Sequence, residues 1–475
     1  MESLLQPDAG GLARRADRTL TEQLAARFAE RIRQRLIAPG ARLPSVRECA
    51  RRHGVSAYTV VAAYDQLLAQ GLVEARKQRG FFARNLEDAT RTHAGEAPPK
   101  APLPLNATML IRGMFQPPGS QPMPSFGTLP AEWLDLPLLA NALRKVTSGG
   151  QLEALSLRYG EPAGDRRLRQ ALALQLAEFG IRAGPSQIVT TVGATHALDV
   201  VTRTLTRAGD SVLVDDPGWS VEYARLRALG LNVLPVPRGE DGPDLDVMAK
   251  LLEAHRPRLY VTVSVLHNPT GASLSLQVAH RVLTLAQAHD LTIVEDDTYA
   301  RLAPAHMPRL AALDGLQRTV YVSGFSKILA PNWRVGFIAA PAALAERFID
   351  TKLLTTLTTP SIAEQALAYC LEQGAMRRHA ERIGGKLDAA RARSVKLAQE
   401  AGCTFAAPPR GLFGWVDVGA DTDRLAQVML DQGWLLAPGS LFHAAHRPTR
   451  LMRINFATTQ DAGFWSALQV ARETV

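Results

Sequence analysis

Tyr321-Val322-Ser323-Gly324-Phe325-Ser326-Lys327, with Pro331, Arg334 and Gly336 close behind, is the stretch on which the reading of this chain turns. A short apolar run delivers a lysine ringed by small hydroxylated residues. Such a setting suits a Schiff base with an aldehyde, because burial and neighbouring cations lower an amine's pKa and keep it nucleophilic. Arg334, seven residues on, can return to the same place and clamp a phosphate. A lone S-x-K is weak, since most surface lysines do nothing, so the surroundings decide.

Outward from that lysine, short apolar runs alternate with helical patterns. The candidate strands are Ile188–Thr191, Ser211–Val214, Asn232–Val236, Leu259–Val265, Leu291–Val294, Thr319–Val322 and Val335–Ala339. This alternation predicts an α/β domain, a mainly parallel sheet sandwiched by helices. Beyond roughly Pro341, long helical segments precede Gly414–Val418 and Arg450–Phe456, which predicts a smaller α+β subdomain.

Several loops at strand ends carry matching chemistry. Glu295-Asp296-Asp297-Thr298-Tyr299 follows a strand, at the carboxyl edge where such sheets bind ligands. A carboxylate there can keep a pyridine nitrogen protonated, making the ring an electron sink. Asp296 is placed for that and Tyr299 for a ring oxygen, although paired acids alone are more often a solvated turn. Asn268-Pro269-Thr270-Gly271 also follows a strand and, alone, is just a turn; its amide can reach the same ring oxygen. Gly193-Ala194-Thr195 opens a helix whose N–H groups can hold phosphate. Pro217-Gly218-Trp219 can present an indole for stacking, against the ordinary reading of tryptophan as core.

The N-terminal part differs. Leu20, Leu24, Phe28, Ile32 and Leu36 mark one helical face, broken by Pro39-Gly40. A second helix is expected from Pro44-Ser45 to about Arg52. His53-Gly54-Val55 turns the chain, and Ser56 caps a third helix running to Gln70, ended by Gly71. Leu72–Ala75 and Gly80–Ala83 flank the basic tip Arg76-Lys77-Gln78-Arg79 as a two-stranded wing. This is helix-turn-helix geometry, with the recognition helix starting at Ser56-Ala57-Tyr58-Thr59. Its hydroxyls and the Tyr58 ring can reach phosphates or base edges of double-stranded DNA.

Charge supports that reading. Between Arg14 and Arg84 there are 15 Lys or Arg against 6 Asp or Glu, whereas the rest of the chain holds 39 of each. A basic module on a neutral body points to a polyanion partner. Residues 85–104, rich in Thr, Gly, Ala, Pro and Lys, read as a linker between a domain at 17–84 and one at 105–475. The larger domain divides into a large subdomain, about 130–345, and a small one, about 346–475. There is no apolar run long enough for a membrane span and no secretory signal. Cys49, Cys370 and Cys403 fit neither a disulfide framework nor a metal site, so a reducing cytoplasm and no metal are expected.

Leu43-Pro44-Ser45-Val46-Arg47, Val55-Ser56, Thr59-Val60 with Ala63-Tyr64, and Gly80-Phe81-Phe82 together resemble the GntR-type winged helix. The resemblance implies DNA contacts from Ser45, Arg47, Ser56, Thr59, Arg79 and Gly80. Ala57 departs from the arginine that many relatives carry there, which shifts base reading toward Tyr58 or the wing. The lysine segment and the strand-end loops, in their order and spacing, resemble fold-type I pyridoxal 5'-phosphate (PLP) aminotransferases. That resemblance implies Lys327 as the lysine bonded to PLP, Asp296 on the ring nitrogen, Asn268 and Tyr299 on the ring oxygen, and Trp219 stacking. It places Ala194, Thr195, Ser326 and Arg334 on the phosphate. Tyr159 resembles the tyrosine that reaches the neighbouring subunit's phosphate, and Arg453 the arginine that pairs with a substrate carboxylate. Gly324 departs from the usual serine or threonine.

The fusion, in this order, resembles the MocR group of bacterial regulators. It implies a head-to-tail homodimer in which the aminotransferase-like domain senses PLP or an amino compound and the winged helix acts on promoters. An aminotransferase acting on an amino acid, with an accessory DNA-binding domain, is the alternative.

Overall fold

A computed structural model describes residues 19–33, 37, 40–76, 80–84, 123–148 and 150–475. The chain divides into two compact units, Met1–Leu103 and Pro104–Val475. The expected linker, Leu36 and the wing-tip residue Arg79 lie outside the described residues.

The first unit has helices α1 (Leu20–Arg33), α2 (Val46–His53) and α3 (Ala57–Ala69), then strands β1 (Val73–Arg76) and β2 (Gly80–Ala83). Leu24, Phe28 and Ile32 of α1 pack on Val60, Tyr64 and Leu67 of α3, which buries the face expected from their spacing. Tyr64 packs edge-on against Phe28 and Phe81, and its hydroxyl donates to the Pro44 carbonyl at 3.0 Å. One buried ring thereby ties α1, the turn before α2 and the wing together. The wing strands are antiparallel, and Arg42 bridges to Phe82 beside them.

The second unit is built on a seven-stranded sheet: β3 (Ile188–Thr191), β4 (Ser211–Asp216), β5 (Asn232–Pro237), β6 (Leu259–Thr262), β7 (Thr292–Asp296), β8 (Thr319–Gly324) and β9 (Gly336–Ala339). Their spatial order is β3-β9-β8-β7-β6-β4-β5. All neighbours are parallel except β9, which runs antiparallel to β3 and β8. Most strands are buried on both faces, as a sheet covered by helices requires.

One expected strand is shorter than its apolar run. β6 stops at Thr262 instead of Val265 because the chain turns back on itself there. Leu274 N–H donates to the Ser264 carbonyl at 2.8 Å, and Leu266 sits at φ 51°.

A second, antiparallel sheet has the order β10 (Thr404–Phe405), β11 (Phe413–Asp417), β13 (Leu451–Asn455), β12 (Ala437–Pro438), with β11 and β13 central. The sequence reading missed β10 and β12, which are two residues each. No helix among the described residues is long and apolar enough to cross a membrane.

Candidate functional site

In the first unit, two serines shape the exposed face. Ser45 caps α2 by accepting from Glu48 N–H at 3.3 Å, and Ser56 caps α3 by accepting from Thr59 N–H at 3.0 Å. Ser56 and Thr59 also share a hydroxyl contact of 2.8 Å. Gly54 supplies the left-handed turn between the helices (φ 65°). The caps therefore fix the angle at which α3 presents its first turn, and Tyr58 projects there 80% exposed. Ser45, Arg47 and Ser56 are exposed as well, and Thr59 is half-buried. Arg42 is an addition that sequence reading missed. Its guanidinium lies against Gly80, about 3.4 Å from where a Cβ would stand, so the segment before α2 lays a basic side chain along the wing.

In the second unit, the strand-end residues converge. Lys327 lies just past β8, with its Nζ 3.5 Å from the position of a Cβ on Gly127. Burial, then the charges of Arg453 and Arg334, push its amine down to about 8, with Asp296 opposing. Asp296, at the end of β7, is held by Thr298, whose N–H (3.0 Å) and hydroxyl both donate to Oδ1. That leaves Oδ2 for a ring nitrogen. Burial raises the Asp296 carboxyl to about 6, opposed by those Thr298 bonds. Asp297 anchors the same loop from behind: it pairs with the buried Arg309 at 2.6 Å and accepts from the Tyr321 hydroxyl at 2.9 Å. Ser323 donates to the Asp297 carbonyl at 2.8 Å, so the strand bearing Lys327 and the strand bearing Asp296 are fastened to each other.

Groups able to hold an anion gather at the end of β3. Arg334, itself at φ 51°, donates to Ser326 Oγ (3.1 Å) and to the Val192 carbonyl (3.2 Å). Gly193 is required here: a Cβ would stand 2.5 Å from Arg334 Nη2, and φ is +79°. Ala194 and Thr195 then open the helix Ala194–Leu205 with their N–H groups unbonded within it. At Gly324 a Cβ would meet Ala194 N at 3.5 Å, an ordinary contact, so crowding does not demand glycine there.

Trp219, half-buried, lines a small pocket with Asp296, Thr262, His267 and Glu222. Arg453 lies deep, with its guanidinium over Phe413 (4.5 Å) and Phe442 (5.1 Å). It donates to Asn268 Oδ1 at 3.1 Å and to the Ser125 carbonyl, while Nε is buried with no partner. Burial lowers it to about 10, opposed by Tyr299. A buried guanidinium held by neutral acceptors keeps its charge uncompensated, which suits pairing with a carboxylate. Tyr299 stacks edge-on against Phe413 beside Asn268, and burial pushes its hydroxyl up. Tyr159 stands apart, 83% exposed. Ser125 and Gly127 were not singled out in the sequence, and Thr298 stood in the Glu295–Tyr299 loop without an assigned role.

This donor set fits PLP. It offers an amine for the aldehyde, an acid for the ring nitrogen, an indole for the ring face, and a cradle of N–H, hydroxyl and guanidinium groups for the phosphate.

The comparisons agree with the geometry. Residues 20–83 match the family of bacterial regulatory proteins called gntR, and residues 140–469 match aminotransferase class I and II. The uncharacterized HTH-type transcriptional regulator YisV of Bacillus subtilis is 26% identical, over 97% of both chains. The probable rhizopine catabolism regulatory protein MocR of Rhizobium meliloti is 28% identical, over 78% of this chain and 76% of its own. Among solved structures, the α-aminoadipate aminotransferase LysN of Thermus thermophilus, complexed with N-(5'-phosphopyridoxyl)-L-leucine, aligns with a TM-score of 0.67. It is 25% identical, covering 74% of this chain and 91% of that one. By the match over most of its length the chain belongs to the class I and II aminotransferase family, and it carries a gntR-family regulatory module ahead of that domain.

Proposed function

We propose that this chain is a DNA-binding transcription regulator whose aminotransferase-like domain binds PLP and senses an amino acid or related amine. The observation that carries the reading is the pairing, in one chain, of an exposed basic helix-turn-helix with a cluster around Lys327 whose amine, carboxylate, indole and anion-binding groups suit PLP. The winged helix spans 17–84, the linker 85–104 and the PLP-binding domain 105–475. Two copies form a head-to-tail dimer in which each Tyr159 reaches its partner's phosphate, and two recognition helices address paired half-sites on a promoter. The protein works in the cytoplasm, on the nucleoid when DNA-bound.

Lys327 is the amine that captures the aldehyde, and its lowered pKa keeps it partly uncharged near neutral pH. Asp296 Oδ2 faces the ring nitrogen, and Asn268 and Tyr299 the ring oxygen. Trp219 covers the ring face; Ala194, Thr195, Ser326 and Arg334 take the phosphate. Arg453 binds the effector's carboxylate and orients its amine toward Lys327. PLP, when bound, supplies an electrophilic carbon and an electron sink. Ser45, Arg47, Ser56, Tyr58, Thr59, Arg79 and Gly80 contact DNA, with Arg42 beside them.

The test is the visible spectrum of the purified protein during titration with a panel of amino acids. A band that shifts and persists, accompanied by altered DNA binding, supports a sensor. A band that bleaches to an amine form and returns on adding a keto acid makes the protein a working transaminase.

A further inference from the structure

A buried polar cluster behind the phosphate cradle has no part in the chemistry above. His196 lies in the first turn of the helix Ala194–Leu205. Its Nδ1 accepts from Val192 N–H at 3.0 Å, and its Nε2 faces Thr356 Oγ1 at 3.0 Å. An imidazole that accepts at Nδ1 carries its proton on Nε2, so it donates to Thr356. Burial, with help from the charge of Lys352, lowers its pKa and favours that neutral form.

Lys352 is fully buried, and its Nζ lies 3.5 Å from both Thr190 Oγ1 and Thr359 Oγ1. Thr359 in turn donates to Glu364 Oε1, and the second oxygen of Glu364 accepts from Asp165 N–H at 2.8 Å. The ammonium and the carboxylate thus compensate each other through one hydroxyl. A buried charge pair of this kind is more often a device for fixing geometry than a source of stability.

The two ends of the cluster reach different places. One end holds Val192, whose carbonyl also receives Arg334, and so sets the cradle at Gly193. The other holds the segment from Tyr159 to Asp165. Thr190 N–H donates to the Ala163 carbonyl at 2.9 Å, and a Cβ on Gly160 would stand 2.6 Å from Ser361 Oγ, so that backbone lies directly on the turn from Thr356 to Ser361. The same short turn therefore grips the phosphate cradle and the base of the exposed Tyr159 segment.

We propose that His196, Lys352 and Glu364 are positioning residues that set the phosphate cradle and the Tyr159 segment together, so that PLP occupancy and pairing with a second copy of this chain strengthen each other. This rests on the reading that Gly193 to Thr195 cradle the PLP phosphate and that Tyr159 meets the partner. The test uses the full chain and four proteins: wild type, His196→Leu, Thr356→Val and His196→Gln. Thr356 is half-exposed, so its loss of a hydroxyl spares the fold. For each, PLP affinity is read from the Lys327 band, and the dimer dissociation constant by sedimentation with and without saturating PLP.

Wild type is expected to dimerise about tenfold more tightly with PLP. His196→Leu and Thr356→Val should bind PLP several-fold more weakly and keep less than about a threefold tightening. His196→Gln, which can both accept from Val192 and donate to Thr356, should recover most of both. Variants that lose affinity yet keep the full tightening, or that change nothing, overturn the proposal. A normal wild-type band without any PLP-linked change in dimerisation also overturns it and leaves the cofactor reading standing. A wild type with no Lys327 band removes both.

Discussion

The two units solve opposite problems. The helix-turn-helix offers its groups from helix caps and water-facing turns: Ser45 and Ser56 are exposed, and their hydroxyls do structural work within three residues of chain. The site around Lys327 holds an amine, a carboxylate and a guanidinium in low-dielectric surroundings, each shifted by burial toward its neutral form. The first kind of site is cheap and local. The second costs folding energy and draws on distant pieces of chain, so the two should respond differently to mutation.

The largest contrast is expected at Lys327. Lys327→Ala should lose the visible PLP band entirely, while binding of the same protein to random-sequence DNA, measured at fixed salt, stays within about twofold. A parallel loss of non-specific DNA binding would show that the two units are not separable in this way.

A second contrast concerns stability, and its sign is opposite to that of an ordinary core mutation. Asp296 has a folded-state pKa of about 6 against an ordinary 3.8, so the unfolded chain releases its proton first. Stability from this group is therefore lost as pH rises from about 4 to 6. Above that window Asp296→Asn should stabilise the PLP-free second unit by on the order of 2–3 kcal/mol; below about pH 4 the two proteins should match. All six tryptophans, Trp133, Trp219, Trp333, Trp415, Trp434 and Trp465, lie in the second unit, so tryptophan fluorescence during urea unfolding reports on that unit alone. A destabilised Asp296→Asn protein at pH 7 would contradict the cost assigned to burying this carboxylate.

The same contrast governs what the sequence could disclose. Ser45, Ser56, Gly54 and Gly71 announce the first unit because caps and turns are written within a few residues. The strands of the large sheet were legible for a related reason: doubly buried strands are plain apolar runs, and the residues just past their carboxyl ends fall at the ligand edge by topology. Contacts closed across the chain left no such trace. Arg453 meets Ser125, 328 residues away, and His196 meets Thr356, 160 residues away. Nothing in Ser125-Phe126-Gly127 distinguishes it from any small-residue loop. Arg42 was overlooked for a different reason: its place beside Gly80 depends on the backbone pairing of Leu43 with Phe81.

A smaller effect tests the exposed face itself. Tyr58 is 80% exposed and stands outside the buried core of the first unit. Tyr58→Ala should weaken specific promoter binding by about tenfold, roughly one base contact's worth, and leave the slope of affinity against salt unchanged. Arg47→Ala should do the reverse, lowering affinity for all sequences and reducing the salt slope by about one. Equal losses from both on specific and random DNA would mean that Tyr58 reads backbone and not bases.

The smallest effect separates the two duties of Ser56. As the cap of α3 its hydroxyl satisfies Thr59 N–H, and as an exposed group at the helix start it can also touch phosphate. Ser56→Ala removes both, whereas Ser56→Asp keeps the cap and places a negative charge against DNA. Hydrogen exchange of the α3 amides in the full chain should show Ser56→Ala opening about 1 kcal/mol more easily, with Ser56→Asp close to wild type. If Ser56→Asp nevertheless binds DNA worse than Ser56→Ala, the serine meets phosphate directly. If the Asp protein binds as well as wild type, the residue serves DNA only by aiming the helix, and the exposed face is as purely local in its construction as the Lys327 site is collective.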